Sequence, residues 1–440
     1  MNIEVSVGEA VDKYNILEIK CRKIADESKK REIQKELRAL DKCKDIIYKN
    51  NEYYNWLTLV NTKIWEFTDV IKRMPVTDPS FAIISNEIFE ENQKRFRIKS
   101  FFNTLVKSNI QEQKSYAASH CRICISSVDV FYSKIAEINS LSISYDYISF
   151  DISIDSSFLS TIKAALTQPN ILYDHVAEPT AILQLEHYNI GDLDKTAFEK
   201  KPTTYVCGGL LGDFIQSLSV VYENFLKTGR KGVVYITNNK GGDPFRNGVE
   251  KTYQDIKDVV SNQVYIKEFS IYKNEPFDIN LNDWRHSNAL YNRFCWYGIY
   301  KDVYGVEWGT HPWLTVPIDE TWKDRVLINT VSYRFPSRIN FKELYYVHGA
   351  SMIFVGYNKD EYEHFKRRTG LDIPYYESKS FSEICTIIRS CKLITGSASA
   401  PMSIANAFHK DRIIGLGECP RIDIRRSILK DVWSNVVFCE

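Results

Sequence analysis

The chain opens on hydrophobic residues at helical spacing. Ser6 followed by Glu9 has the form of a capping box, in which the serine hydroxyl closes a first helical turn. Behind it Val11, Tyr14, Leu17, Cys21 and Ile24 recur every three or four residues, as one face of a helix would. After the polar Asp26-Glu27-Ser28, a second face of Ile33, Leu37, Leu40 and Ile47 predicts an antiparallel partner, and so a helical hairpin. From Trp56 to Tyr116 charged and aromatic residues predominate, interrupted by Pro75 and Pro79, and Glu87 to Lys107 again favours helix. Residues 1–118 therefore read as an all-helical domain.

Near residue 120 the pattern changes to short apolar runs alternating with helical ones: Arg122 to Ser126, Val130 to Ile138, Tyr145 to Phe150, Phe158 to Leu166 and Asn170 to Tyr173. Such alternation is the signature of parallel α/β structure. The segment Ala177 to Lys201 is polar, with Pro179 inside it and Pro202 just beyond, which suits a domain boundary. From Thr203 the alternation resumes, with strands at Thr203 to Cys207 and Gly232 to Thr237 around a helix whose face is Phe214, Leu218, Val221 and Phe225. A second block starts near Arg325, with strands at Val326 to Thr330, Met352 to Gly356, Lys392 to Thr395 and Arg412 to Leu416, and a helix opened by Ser380 and Glu383. The expected architecture is α/β: a helical domain (1–118), a small α/β segment with linker (119–200), and two Rossmann-like domains in tandem (201–318 and 319–440).

Composition narrows the class. At 440 residues, 44% hydrophobic and 26% charged, the chain suits several packed domains rather than a disordered polymer. A formal net charge of +1 argues against bare nucleic acid as the main partner. Of ten cysteines only Cys121 and Cys124 form a CxxC, without the second pair a structural zinc site needs, so free thiols in a reducing compartment are expected. No basic segment followed by an apolar run opens the chain, and no stretch approaches the ~18 apolar residues of a membrane span. A soluble, cytoplasmic protein without a transmembrane segment is the expectation. Abundant Asn, Ile, Lys and Tyr suggest an AT-rich genome, such as that of a large DNA virus or some bacteria; for a virus the compartment would be the host cytoplasm.

Three turns carry candidate chemistry. Cys207-Gly208-Gly209-Leu210-Leu211-Gly212-Asp213 lies between a predicted strand and a predicted helix, where glycines allow a sharp turn and leave amides open at a helix N-terminus. It lacks the Lys-Ser/Thr of a Walker A loop and the spacing of the dinucleotide fingerprint. Asp213 suits a general base, and equally a first-turn carboxylate favoured by the helix dipole. The run Gly396-Ser397-Ala398-Ser399-Ala400-Pro401 also follows a strand and opens a helix; its amides and hydroxyls suit a diphosphate held without metal, or an ordinary small-residue turn. Between them, Ser332 and Arg334 follow a strand, and the Arg334 guanidinium can make forked hydrogen bonds to phosphate, with Arg338 in reserve; a surface salt bridge is the plain alternative.

Weaker patterns stand beside these. Glu361, after Phe354-Val355-Gly356, suits a site or a solvated helix face. The aromatic stretch from Trp284 through Trp296 and Tyr297 to Trp308, His311 and Trp313 suits sugar stacking or core. Asp192-Leu193-Asp194 has the DxD spacing of a metal-dependent donor site, but in a polar linker coincidence is the simpler reading. No H-E-x-x-H spacing occurs, and no metal is expected.

Two resemblances extend this reading. Val5-Ser-Val-Gly-Glu9, Asp12-Lys13, Ile16-Leu-Glu-Ile-Lys20, Asn92-x-x-Arg95, Arg97-Ile-Lys99, Asn103 and Lys114-Ser-Tyr116 resemble an uncharacterised helical family found alone or fused to sugar-transfer domains. Gly209-Leu-Leu-Gly-Asp-Phe-Ile215 looks like the opening of the heptosyltransferase-like (family 9-like) glycosyltransferases of GT-B fold, a resemblance that covers the last ~240 residues. It implies Asp213 as general base, Gly208, Gly209 and Gly212 as the glycine loop, an acceptor domain at 201–318, and a donor domain at 319–440. Ser332, Arg334, Gly396, Ser397, Ser399 and Pro401 would then bind the donor. The implied reaction is inverting, metal-independent transfer of a sugar from a nucleotide-diphosphate sugar to a hydroxyl of a glycan or glycolipid. No cofactor beyond that co-substrate is implied. The family pattern Gly-x-Asp-Ser-Gly-Pro-x-His-x-Ala is matched at Gly396, Ser399, Pro401 and Ala405, whereas Ala398 and Ser403 replace its Asp and His. That departure supports a rival expectation, a catalytically silent sugar- or nucleotide-binding protein; a third is a structural interaction protein built around the helical domain. In the transferase reading the helical domain would serve homo-oligomerisation or acceptor docking.

Overall fold

In the computed structural model Ser6 caps the first helix, its hydroxyl accepting from the Glu9 amide at 3.2 Å. That helix, α1 (Val7–Lys23), buries Val11, Tyr14 and Leu17, but it also buries Asp12 and Asn15, which an apolar pattern does not select. The reason lies on two later helices, α4 (Asn51–Ile71) and α5 (Pro79–Leu105). Asn61 donates to both Asp12 and Asn15, and Arg95 grips both Asp12 carboxylate oxygens, so buried polar atoms are paired within the core. The predicted second arm of the hairpin is broken by a turn at Leu40, leaving α2 (Glu27–Ala39) and α3 (Cys43–Lys49), and of α2 only Ile33 is buried. Residues 4–112, 118–152, 158–173, 178–241, 244–286, 296–415 and 436–439 are described by the structure; Lys114 to Tyr116, Leu416 and positions 287–295 of the aromatic stretch lie outside them. The chain divides into two compact units, Met1–Lys201 and Pro202–Glu440.

Within the first unit a parallel sheet follows the helices. It comprises β1 (His120–Ile125), β2 (Tyr147–Ile152), β3 (Ile171–Leu172) and β4 (Ala181–Gln184) in the order β3-β2-β1-β4. Helices α6 (Val128–Ser133), α7 (Ile135–Ser144), α8 (Phe158–Ala165) and α9 (Asp192–Phe198) accompany it. The helical core around Trp56 and Phe102 continues onto Ala136, Ile143 and Phe198 of this segment. Asp194 of the DxD pairs with Lys63 at 2.8 Å, a structural contact in the first turn of α9.

The second unit contains two further parallel sheets. The first is built from β5 (Thr203–Cys207), β6 (Gly232–Ile236), β7 (Ile266–Ile271) and β8 (Ile279–Asn280), in the order β7-β6-β5-β8. The other comprises β9 (Val326–Asn329), β10 (Met352–Gly356), β11 (Tyr375–Glu377), β12 (Leu393–Ser397), β13 (Arg412–Gly415) and β14 (Val436–Cys439), in the order β11-β10-β9-β12-β13-β14. Each grows from its first strand outward in both directions, so the loops after β5 and β8, and after β9 and β12, part at a switch point and open a crevice. The helices of this unit are α10 (Leu211–Thr228), α11 (Val249–Ser261), α12 (Trp296–Tyr304), α13 (Phe341–His348), α14 (Lys359–Thr369), α15 (Phe381–Ser390) and α16 (Ala400–Ala407). A pair of Rossmann-like sheets after a helical region and a small α/β segment is the α/β, GT-B-like architecture the sequence led us to expect. No helix among the described residues is long and apolar enough to cross a membrane.

Packing between the two sheets of this unit runs through α10 and α16. The predicted face of α10, Phe214, Leu218, Val221 and Phe225, is fully buried. Gln216 accepts from Asn406 at 3.0 Å, and Asn406 in turn accepts from the buried Arg412 at 2.6 Å. Trp308 and Trp313 are core, their indole N–H groups donating to the carbonyls of Gln216 and Ile215.

His409 lies edge-on to Trp313, its Nε2 3.1 Å from the Gly309 carbonyl, and burial pulls its pKa down to about 4. The unfolded chain therefore takes up this proton first as pH falls from 6.5 toward 4, and stability is lost over that window. Because the ring is only half-buried, the loss is about 1 kcal/mol rather than the full shift. His311, raised by Glu223, acts in the opposite sense, its contribution being lost as pH rises. Thermal melting of wild type and His409→Gln between pH 7 and 4 checks the first effect, since the variant should lose less stability on acidification.

Candidate active site

A cavity of about 840 Å³ lies within the second unit, where the carboxyl edges of its two sheets face each other. Loops from both sheets line it. The first sheet provides Leu210 to Asp213 after β5, Phe245 to Asn247 after β6, and Trp284 after β8. The other provides Asn329 to Val331, Tyr333 and Arg334 at and after the end of β9, Gly356 to Asn358 at and after the end of β10, and Ala398 to Ser403 after β12. A volume of this order holds a ligand of nucleotide size.

The glycine turn after β5 is shaped by two glycines that stand behind the cavity wall. A Cβ on Gly208 would lie 2.4 Å from the Thr237 carbonyl oxygen, and Gly209 has φ +110°, so neither position admits a side chain without strain. Cys207 is fully buried, and burial pushes its thiol up to about 12, which leaves it inert. Gly212, in the first turn of α10, faces the second turn directly: a Cβ there would lie 3.1 Å from Ser403 Oγ and 3.6 Å from Ala400 Cα. Asp213 follows on the cavity wall. Its Oδ2 accepts from Arg285 Nη2 at 2.5 Å, and the Arg285 guanidinium lies 4.3 Å from the Trp284 ring centroid. The carboxylate is thus oriented by an ion pair while still facing the hollow, with its side chain 26% exposed.

On the opposite wall Gly396 has φ +149°, and a Cβ there would come within 1.7 Å of the Asn329 carbonyl oxygen. Ser397 is fully buried, and its hydroxyl accepts from the Val331 amide at 2.9 Å, clipping the loop after β9 to the loop after β12. Ser399 caps α16 by position, reaches Asn329 Oδ1 at 3.4 Å, and lines the cavity together with Pro401. Arg334 also lines it and donates to the Ala398 carbonyl at 2.9 Å, joining the same two loops. Ser332 does not line it: its amide and hydroxyl both donate to Glu361, at 2.6 and 3.1 Å, and Glu361 is the one at the wall. Arg338 is not among the lining residues.

Several lining groups carry no sequence motif. The Thr330 hydroxyl, in a residue 1% exposed, has no hydrogen-bond partner among the described residues. It sits one residue past β9, where the switch-point rule places ligand contacts, and that rule was the available signal. Five basic side chains line the cavity, Arg246, Lys251, Arg334, Lys379 and Arg412, against three acidic ones. Each acid is engaged: Asp213 by Arg285, Asp255 by Lys251 at 2.6 Å, and Glu361 by Ser332. The remaining field favours an anion. Among the described residues no three His, Cys, Asp or Glu side chains stand together as a metal-binding group.

One protein family matches part of the chain, a family of unknown function (DUF6165) over residues 1–135. No curated protein matches it. Among solved structures it is similar to the glycosyl transferase family 9 from Veillonella parvula DSM 2008, at 12% identity, covering 74% of this chain and 88% of that one, with a TM-score of 0.27. It is also similar to the iron-containing dodecameric glycosyltransferase TibC from enterotoxigenic E. coli H10407 (13% identity, 55% and 63% covered, TM-score 0.33). A third is the E. coli heptosyltransferase WaaC with ADP-2-deoxy-2-fluoro heptose (10% identity, 73% and 93% covered, TM-score 0.26). Identities this low leave the chemistry to be read from this chain's own residues.

Proposed function

We propose that the chain is a glycosyltransferase that moves a sugar from a nucleotide-diphosphate sugar to a hydroxyl of a glycan or glycolipid acceptor, inverting and without a metal, with Asp213 as general base. One observation carries this reading: Gly212 faces Ser403 and Ala400 at contact distance, which sets the Asp213 carboxylate and the N-terminal turn of α16 on walls of one cavity. In this reading the donor lies against the domain 319–440. Its diphosphate meets the Ala400 amide at the start of α16, Ser399 and the Arg334 guanidinium, which take up the charge that develops on the leaving group. The acceptor lies against 201–318. Asp213 accepts the proton of its hydroxyl as the oxygen bonds to the anomeric carbon. On the far side the anomeric carbon–phosphate oxygen bond breaks, the electron pair leaves with the nucleoside diphosphate, and the anomeric configuration inverts. Arg285 orients the carboxylate. Gly396, Ser397 and Glu361 hold the loops rather than the ligand, and the helical domain 1–118 would serve self-association.

The test is thermal-shift screening with UDP, GDP, ADP, CMP and dTDP, then a transfer assay with the sugar nucleotide of the base that binds. Stabilisation followed by release of the free nucleoside diphosphate supports the transferase. The Asp213–Arg285 ion pair favours a second reading, a binding protein without turnover. Binding with no release across a panel of acceptors would decide for it. Thr330→Val, which keeps the shape and removes the unpartnered hydroxyl, should leave melting unchanged or slightly raised while weakening nucleotide binding roughly 3- to 10-fold, as measured by calorimetry.

A further inference from the structure

The donor contacts proposed so far come from one sheet, yet the cavity mouth carries a second guanidinium from the other. Arg246 follows β6 in a tight turn. The turn is pinned by the buried Phe245, whose amide donates to Asn238 at 3.0 Å and whose carbonyl accepts from Gly248 at 3.0 Å. Arg246 Nη2 donates to the Tyr333 hydroxyl at 2.9 Å, and its guanidinium lies 5.0 Å from the centroid of that ring. The guanidinium of Arg334 lies 5.3 Å from the same centroid. Two like charges are therefore held at most about 10 Å apart, roughly one Debye length at ordinary salt, so their repulsion is only partly screened. Among the described residues neither has a carboxylate partner, although carboxylates elsewhere in this cavity are all engaged. An arrangement that gathers two cations on one ring without a protein anion is suited to an anion that arrives from outside.

Resting on the transferase reading, we propose that Arg246 reaches across the cavity mouth to hold the donor diphosphate that Arg334 holds from the other side, with Tyr333 as the bracket that aims both guanidinium groups. A diphosphate gains negative charge as the anomeric carbon–oxygen bond breaks, and a second cation at that point stabilises the departing group. This cation is carried by the sheet that also carries Asp213, so the donor diphosphate is held from both sheets. Charge stabilisation is then complete only when both sheets surround the substrate.

The test is calorimetric titration of the full-length chain with the nucleoside diphosphate selected by screening and with its monophosphate, in wild type, Arg246→Ala, Arg246→Lys and Tyr333→Phe, each at low and high salt. The expected result for Arg246→Ala is a loss of diphosphate affinity of roughly 10- to 100-fold, a smaller loss for the monophosphate, and a shallower salt dependence. Arg246→Lys should recover part of the loss, and Tyr333→Phe should lose a few-fold. Arg246 is exposed, so unchanged melting of the variants separates binding from folding. Diphosphate affinity equal to wild type in Arg246→Ala overturns the assignment and leaves the transferase reading standing. The same holds if only the acceptor KM rises, which would place Arg246 at an anionic group of the acceptor. A wild-type chain that binds no nucleoside diphosphate overturns both.

Discussion

Replacing Asp213 by Asn is expected to lower sugar transfer by ~10²- to 10⁴-fold in kcat, with the affinity for the nucleoside diphosphate within about a factor of two of wild type. The substitution keeps the size of the side chain and an oxygen that accepts from Arg285, now at 2.5 Å, so the wall of the cavity keeps its shape. What it removes is the group that takes the acceptor proton. Steady-state release of the nucleoside diphosphate and calorimetric binding, measured on the same preparation, separate the two quantities. Undiminished turnover in this variant would remove Asp213 from the chemistry. A parallel loss of binding and turnover would instead make it part of the ligand's seat.

The largest structural effect is expected at Gly396. An added Cβ would lie 1.7 Å from the Asn329 carbonyl oxygen and 2.6 Å from its carbon, both backbone atoms of the adjacent strand β9 that no rotamer change can move aside. The backbone also sits at φ +149°, where L-residues are strained. Gly396→Ala should therefore cost at least about 4 kcal/mol, the range of the most damaging single substitutions. Soluble yield and the melting temperature, compared with Ala398→Gly as a nearby control, check it. A variant that melts within a few degrees of wild type would mean that β9 and β12 can part at little cost.

Local patterns were legible where one periodicity decided the outcome. The buried face of α10 and the caps at Ser6 and Ser380 needed only spacing and a hydroxyl. The alternation after residue 120 was likewise enough to indicate parallel sheets, although not that the short sheet of the first unit repeats the β3-β2-β1-β4 growth pattern of the other two. Asp12, Asn15 and Asn61 were not legible as core, because their burial depends on partners 46 to 83 residues away. The break at Leu40 was missed for a different reason: an apolar stripe continues across it, and periodicity does not register a turn within such a stripe.

At the site, the two turns were singled out from their glycine and small-residue content between a predicted strand and a predicted helix, together with the family resemblance, and the structure places them against each other. The division of labour within them was not visible. Ser397 and Ser399 look alike in sequence, yet one hydroxyl clips a backbone amide while the other reaches the cavity. Ser332 is diverted to Glu361 by the start of α14, a contact set by tertiary packing. Thr330, Arg246 and Arg285 belong to no motif, and only the folded chain brings them to the crevice or beside its carboxylate.

The Gln216–Asn406–Arg412 chain joins the first helix of one sheet to the second sheet at the floor of the crevice. Any breathing of this unit that keeps those buried bonds must swing about that seam like a book about its spine. Asp213, one helical turn from Gln216, then travels little, whereas the Arg246–Tyr333 contact, a single exposed hydrogen bond between the two halves, is free to part. Entry and exit of ligands would be governed at the rim, while the alignment of the reacting groups persists from one turnover to the next.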